Sequence, residues 1–265
     1  MWIDTHCHLD AAEFDEGAAV VASAAQAAGV KLIVIPAVER ANFARCAQLG
    51  QTLPNTCYAL GIHPMYVPAA VEADLQYLRQ AVAAVMPDPR FVAIGEIGLD
   101  LFIPSLKQGA MRSKQDFFYQ EQLKIAREFD LPVLLHVRRS QDEILKQLRK
   151  FRVCGGIAHA FNGSFQQAGM FVDLGFKLGL GGAMTFERAL QIRRLASEMP
   201  LTALVLETDA PDIAPSWLHP ARNSPDQLPA IGELLAQLRQ MAPLDLARAL
   251  QDNACAAMPR LASLL

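Results

Sequence analysis

The chain has 265 residues, 52% of them hydrophobic and 19% charged, with a formal net charge of −3. That is enough apolar material for a large core, in one large α/β domain or two small ones. A slightly acidic chain has no global pull toward nucleic acid or anionic membrane, so a polyanionic substrate must be held locally, by a few Arg or Lys or by bound cations.

The first predicted strand, Trp2–His6, runs into Cys7, His8 and Asp10. Strand alternation puts His6 and His8 on one face, where two neutral imidazoles can share a metal ion. Further short apolar runs predict strands at Lys31–Pro36, Cys57–Ile62, Phe91–Glu96, Pro132–Val137, Gly156–His159, Phe176–Leu180 and Ala203–Thr208. Their near-continuous apolar character suits a parallel sheet covered on both faces. Helical spacing of apolar residues predicts helices at Glu16–Ala28, Arg40–Leu49, Glu72–Val85, Lys114–Phe129, Gln141–Phe151, Phe165–Leu174, Phe186–Ser197 and Gln227–Gln240. Eight strand-then-helix units predict a single-domain TIM-like (β/α)8 barrel over about residues 1–240, with closing helices over about 241–265. An open doubly wound sheet is the alternative. The segment Pro211–Pro229 reads as a long loop after strand eight.

Five cysteines, Cys7, Cys46, Cys57, Cys154 and Cys255, are scattered without metal-finger or redox spacing, as free thiols of a reducing compartment are. No apolar run reaches membrane-span length, and the first strand leaves no room for a cleaved leader. The expected location is the cytoplasm, with no membrane contact and no obligate protein partner.

Ionisable side chains cluster where the predicted strands end: His6 and His8 on the first, Glu96 on the fourth, His136 on the fifth, His159 on the sixth and Asp209 after the eighth. In a barrel these ends converge on one mouth. Such groups are costly to bury unpaired, and a shared metal site resolves the cost for all of them together. Six ligands are too many for one tetrahedral ion and suit two. His6, His8 and Asp209 can hold one, His136 and His159 the second, and Glu96 can bridge both. A metal-bridging hydroxide would then be the nucleophile, with Asp209 accepting its proton. Four imidazoles and two carboxylates suit Zn²⁺, Mn²⁺, Co²⁺ or Ni²⁺ better than Mg²⁺.

The runs Asp4-Thr5-His6-Cys7-His8-Leu9-Asp10, Gly61-Ile62-His63-Pro64, Gly95-Glu96-Ile97-Gly98-Leu99-Asp100, Leu134-Leu135-His136, His159-Ala160-Phe161-Asn162-Gly163-Ser164, Glu207-Thr208-Asp209-Ala210-Pro211 and Arg222-Asn223-Ser224-Pro225 cover nearly the whole chain in order. Together they resemble the TatD family of metal-dependent hydrolases, within it the YjjV-type branch. The resemblance implies a TIM-like barrel, a two-metal centre and phosphodiester hydrolysis, often as a deoxyribonuclease. By motif position it assigns metal ligation to His6, His8, Glu96, His136, His159 and Asp209. Wider amidohydrolase relatives often bridge their metals with a carboxylated Lys. No Lys lies on strand four or five here, and Glu96 takes that place.

Around these ligands, His63 is expected to hydrogen-bond a substrate phosphate, and Arg138 or Arg139 to pair one bidentately, the other being a surface charge. Arg222 and Asn223 either hold substrate or fix their loop. Ser164 either helps present an anion site or caps a helix. Glu207 is expected to orient a ligand imidazole. His219 reads as a bystander. Gly179-Leu180-Gly181-Gly182 lacks the following Gly-Lys-Ser/Thr of a nucleotide loop and reads as a strand entering a tight turn.

Three functions remain: a two-metal phosphodiesterase, such as a deoxyribonuclease or exonuclease, acting on DNA or oligonucleotides; a hydrolase of a small ester, amide, lactone or aminoacyl-tRNA ester; or a non-catalytic metal-binding scaffold. The complete ligand set disfavours the last. Several Arg or Lys around the mouth favour the first, and an apolar pocket with one Arg the second.

Overall fold

The computed structural model describes residues 1–265. Eight parallel strands pair in sequence order: β1 (Trp2–Asp4), β2 (Val30–Pro36), β3 (Thr56–Leu60), β4 (Phe91–Asp100), β5 (Val133–Arg138), β6 (Gly156–His159), β7 (Phe176–Leu180) and β8 (Leu204–Leu206). Helices α1 (Ala18–Ala28), α2 (Phe43–Thr52), α3 (Glu72–Val85), α4 (Gly109–Glu128), α5 (Gln141–Lys150), α6 (Phe165–Asp173), α7 (Leu190–Glu198) and α8 (Leu228–Arg239) follow the strands in turn. The result is a nearly closed TIM-like (β/α)8 barrel. No ladder joins β8 to β1. Instead, Thr5 N–H donates to the Leu206 carbonyl (3.1 Å), Asp209 N–H to His6 (2.8 Å) and His8 N–H to Ala210 (2.8 Å).

Period-two alternation divides the strand side chains between two apolar layers. Ile33, Ile35, Tyr58, Leu60 and Ile94 face the helices, and Cys7 is buried in that same outer layer. Ile3, Leu32, Val34, Leu134, Ile157 and Val205 fill the barrel interior, where Ala254, Ala257, Met258 and Leu261 pack against them. These last residues come from α9 (Pro243–Ala257), the Met258 that ends it and the 3₁₀ turn that follows (Pro259–Leu264). The interior is therefore a packed plug, and the mouth at the other end is where polar groups can gather.

Two expectations about strand ends are corrected. β1 stops at Asp4, so His6 and His8 lie beyond the strand. Their common facing comes from the seam: His8 N–H bonds to Ala210 on one side while Cys7 N–H bonds to Val34 on the other (3.1 Å). β4 runs four residues past Glu96. Between the pairs Ile94↔Val133 and Ile97↔Leu135, β4 advances three residues and β5 two. This one-residue bulge re-aims Glu96 within the strand. β3 approaches closely there, and a Cβ on Gly61 would come 2.7 Å from the Gly95 carbonyl carbon.

Candidate metal centre

The mouth gathers His6, His8, Glu96, His136, His159 and Asp209, which come from five of the eight strand ends. Glu96 is at the middle, almost fully buried. Its Oε2 lies 3.1 Å from His6 Nε2 and 3.5 Å from His8 Nε2. Its Oε1 lies 2.9 Å from His136 Nδ1 and 3.5 Å from His159 Nε2. Asp209 Oδ1 is 3.7 Å from both His6 Nε2 and His8 Nε2. The two N-terminal imidazole nitrogens are themselves only 3.4 Å apart. Lone pairs converging this closely repel one another unless a proton or a cation sits among them, so the donor set fits divalent ions.

Neighbouring carboxylates fix which ring nitrogen is offered to the centre. His159 Nδ1 donates to Glu207 Oε1 (3.2 Å), leaving Nε2 free toward Glu96. His136 Nε2 donates to Asp100 Oδ2 (3.2 Å), leaving Nδ1 toward Glu96. Carboxylate–imidazole pairs of this kind orient metal-binding histidines and raise their basicity. His63 is different. Its Nδ1 accepts the Met65 N–H (3.1 Å), so the proton of the neutral ring is on Nε2. That nitrogen lies 3.3 Å from Glu96 Oε1 and 3.0 Å from His136 Nδ1. His63 thus groups spatially with Glu96 and His136, but its geometry makes it a donor rather than a ligand.

Charges within the cluster are strongly coupled. Burial opposes protonation of His8 and His159. The Glu96 hydrogen bond and charge nevertheless push His8 up to about 9, and the charges of Asp209, Glu96 and Glu207 push His159 up to about 10. Burial, reinforced by the charge of His159, lowers His6 to about 4. Burial raises Asp209 to about 6, against the pull of His159 and His8. Burial also disfavours ionisation of Glu96, but the surrounding imidazoles outweigh it and hold the carboxyl well below its ordinary range.

The remaining sequence candidates fall in different places. Arg138 lines the cavity, with its guanidinium 3.6 Å from Asp100 Oδ2. Arg222 does not line it. Its fork grips Glu16 (2.6 and 2.7 Å) and the Glu13 carbonyl (2.7 Å), strapping the 211–225 loop to the segment after β1. The expectation that Arg222 holds substrate is corrected on that ground: barrel closure makes these two loops neighbours and occupies the guanidinium. Asn223 is buried and donates to the Thr208 and Asp212 carbonyls, fixing the same loop. Ser164 Oγ accepts Gln167 N–H (3.1 Å) as a helix cap, and His219 packs edge-on against Phe186. Asp100 was given no role from sequence. Its signal was a carboxylate ending an otherwise apolar run.

A family profile described as TatD related DNase matches residues 3–259. The chain belongs to the TatD family. It is 38% identical to the metal-dependent hydrolase YjjV of Escherichia coli, over 95% of each chain. It is 37% identical to a metal-dependent hydrolase of Haemophilus influenzae, covering 96% of this chain and 98% of that one. The crystal structure of the E. coli YjjV TatD homologue superposes with a TM-score of 0.91 at 37% identity, covering 97% of this chain and 98% of that one. A TatD family protein from Entamoeba histolytica shares the fold, with a TM-score of 0.82 at 18% identity. As a TatD-family chain this is a metal-dependent hydrolase, and the groups His6–His8–Asp209, His6–His159–Glu207 and His63–Glu96–His136 are its candidate metal-binding clusters.

Proposed function

We propose that the chain is a two-metal-ion phosphodiesterase acting on DNA ends or short oligonucleotides. The observation that carries this reading is the division of Glu96: one oxygen faces His6 and His8, the other His136 and His159. A carboxylate shared in this way has one oxygen for each of two ions. His6, His8 and Asp209 would complete one site, and His136 and His159 the other. Two bound divalent ions, of zinc, manganese, cobalt, nickel or magnesium, lower the pKa of a water toward neutrality and neutralise charge on a scissile phosphate.

The chain's own groups supply the rest. Asp209 is the most solvent-accessible of the two central carboxylates, 13% exposed against 1% for Glu96, and is positioned to accept the proton of the attacking water. His63 Nε2–H can donate to a phosphate oxygen that enters beside Glu96. The mouth opens into a cavity of about 1160 Å³ lined by Arg138 and Arg139. That is larger than a small ester needs, and two arginines favour a phosphate-bearing substrate over a neutral ester, amide, lactone or aminoacyl ester.

The test is metal content and turnover in Glu96→Ala, together with a substrate screen of the metal-reconstituted protein. Wild type should hold two ions per chain and cleave single-stranded or duplex DNA faster than simple carboxylic esters. Glu96→Ala should hold one ion or none and lose nearly all hydrolysis. Unchanged stoichiometry in the variant would refute the bridging role, and faster ester than DNA cleavage would replace the substrate assignment.

A further inference from the structure

Five arginines lie over aromatic rings in this fold, and four of them also face a carboxylate. Arg40 pairs with Asp74 (3.1 Å), Arg194 with Glu198 (3.1 Å), Arg222 with Glu16 (2.6 Å) and Arg138 with Asp100 (3.6 Å). The fifth is Arg139. Its guanidinium carbon lies 4.7 Å from the centre of the Phe102 ring, beside that of Arg138 at 4.1 Å, and no carboxylate lies within 4 Å of it. A guanidinium held over an aromatic ring is preorganised, and its N–H donors remain available for a planar anion.

Its position indicates what that anion is. Going outward from Glu96, the next groups are the His136 ring, the Asp100 carboxylate bonded to its far nitrogen, and then Arg138, which with Arg139 lies against the Phe102 ring. One ring and one carboxylate therefore separate the arginine pair from the centre, and both guanidiniums are on the exposed rim. The opposite wall is acidic. β1 stands across the barrel from β5, and the loops after β1 and β8 bring Asp10, Glu13 and Asp212 to the same cavity. A polyanion entering the mouth is repelled from the β1–β8 side and drawn over the β4–β5 side.

We infer that Arg139, seated on Phe102, is the docking point for a substrate phosphate other than the one being hydrolysed, so that the preferred substrate is an oligonucleotide rather than an isolated phosphodiester. The inference rests on the phosphodiesterase reading for its substrate class. Arg138 shares its charge with Asp100, 3.6 Å away. Arg139 is the specificity residue.

The test compares wild type with Arg139→Asn, an exposed substitution chosen because Asn tolerates the left-handed backbone of this position (φ +54°). Two substrates are used: hexathymidylate, and thymidine 5′-(p-nitrophenyl phosphate), which has a single phosphodiester. The variant should raise KM for hexathymidylate by about tenfold, the worth of one charge-assisted hydrogen-bonded contact. Its kcat/KM on the nitrophenyl ester should stay within about twofold of wild type. Binding of labelled hexathymidylate to chelator-treated protein gives a readout independent of turnover. There the salt slope of log K should fall by about 0.7 in Arg139→Asn, as for one lost phosphate contact on a single strand. Equal losses on both substrates, or an unchanged salt slope, would overturn the assignment. An Arg139-dependent slope in a protein that hydrolyses no phosphodiester would leave the docking point standing and sink the phosphodiesterase reading.

Discussion

Asp4, the last residue of β1, accepts both the backbone N–H (2.9 Å) and the hydroxyl (2.6 Å) of Thr208, just past β8. The bond crosses the one seam of the barrel that has no strand ladder, between His6 on one side and Asp209 on the other. Burial pushes the Asp4 carboxyl up to about 7, against the lowering effect of the Thr208 bonds. Thr208→Val keeps the shape and the backbone bond but strands a buried carboxylate oxygen. It should cost about 1–3 kcal/mol, read by denaturant unfolding, and should weaken metal binding, because the seam sets the spacing of His6 and Asp209. Wild-type stability in the variant would show that the hydroxyl bond does not hold the seam.

Gly179 on β7 lies directly under the Glu207 carboxylate, and a Cβ there would overlap its oxygens. Glu207 in turn holds the His159 Nδ1 and the Ala160 N–H. Gly179→Ala must therefore push Glu207 off His159. A loss of about 10–100-fold in metal affinity is expected, as for other removed partners of metal-binding histidines. Isothermal titration with Zn²⁺ or Mn²⁺ checks it, and unchanged affinity would mean that Glu207 does not orient His159.

Asp100 plays the same part for His136 from the end of β4. Its Oδ1 is held by the Phe102 and Ile103 N–H groups, which frees Oδ2 for the ring. Asp100→Asn preserves the volume but can turn an amide toward His136 Nε2 and so reverse the tautomer. Turnover should fall by about 10–100-fold with the fold intact by circular dichroism. Asp100→Glu should recover less than half of that loss, because the longer arm disturbs the two backbone bonds.

The cation-free site predicts a proton balance. His8 and His159, raised to about 9 and about 10, are both protonated at pH 7.5, and bound ions require them neutral. Metal uptake at pH 7.5 should release at least two protons, from His8 and His159, with a further contribution from His136, whose pKa, despite burial, its bonds to Asp100 and Glu96 also raise, measurable by calorimetry in buffers of different protonation enthalpy. Both rings titrate near 6.5 when unfolded, so their stabilisation of the cation-free fold is complete below pH 6.5 and is lost as pH rises through 9 to 10. Chelated protein should lose melting temperature across that window, and ion-loaded protein should lose less. Uptake without proton release would show that these rings are already neutral.

Much of this site was legible before any coordinates. Eight short, near-continuous apolar runs alternating with segments of period near 3.6 pointed to the barrel over an open doubly wound sheet, because each pattern is a local property of backbone geometry. The six ionisable side chains stood out for the same reason: a His, Glu or Asp closing an apolar strand is expensive unless it meets a partner. The 38% identity to YjjV extends over 95% of the chain.

The partners themselves were a matter of tertiary structure. Which oxygen of Glu96 faces which imidazole is set only where the strand ends converge, with Oε2 toward His6 and His8 and Oε1 toward His136 and His159. That the proton of His63 is on Nε2 follows from one backbone N–H of Met65. Sequence leaves Arg222 between holding substrate and fixing its loop; Glu16 takes it, since only barrel closure brings residues 206 positions apart into contact. Arg139 and Arg138 are adjacent in sequence and indistinguishable there. Asp100 lies 3.6 Å from Arg138, while no carboxylate lies within 4 Å of Arg139, and that difference exists only once β4 and β5 lie side by side.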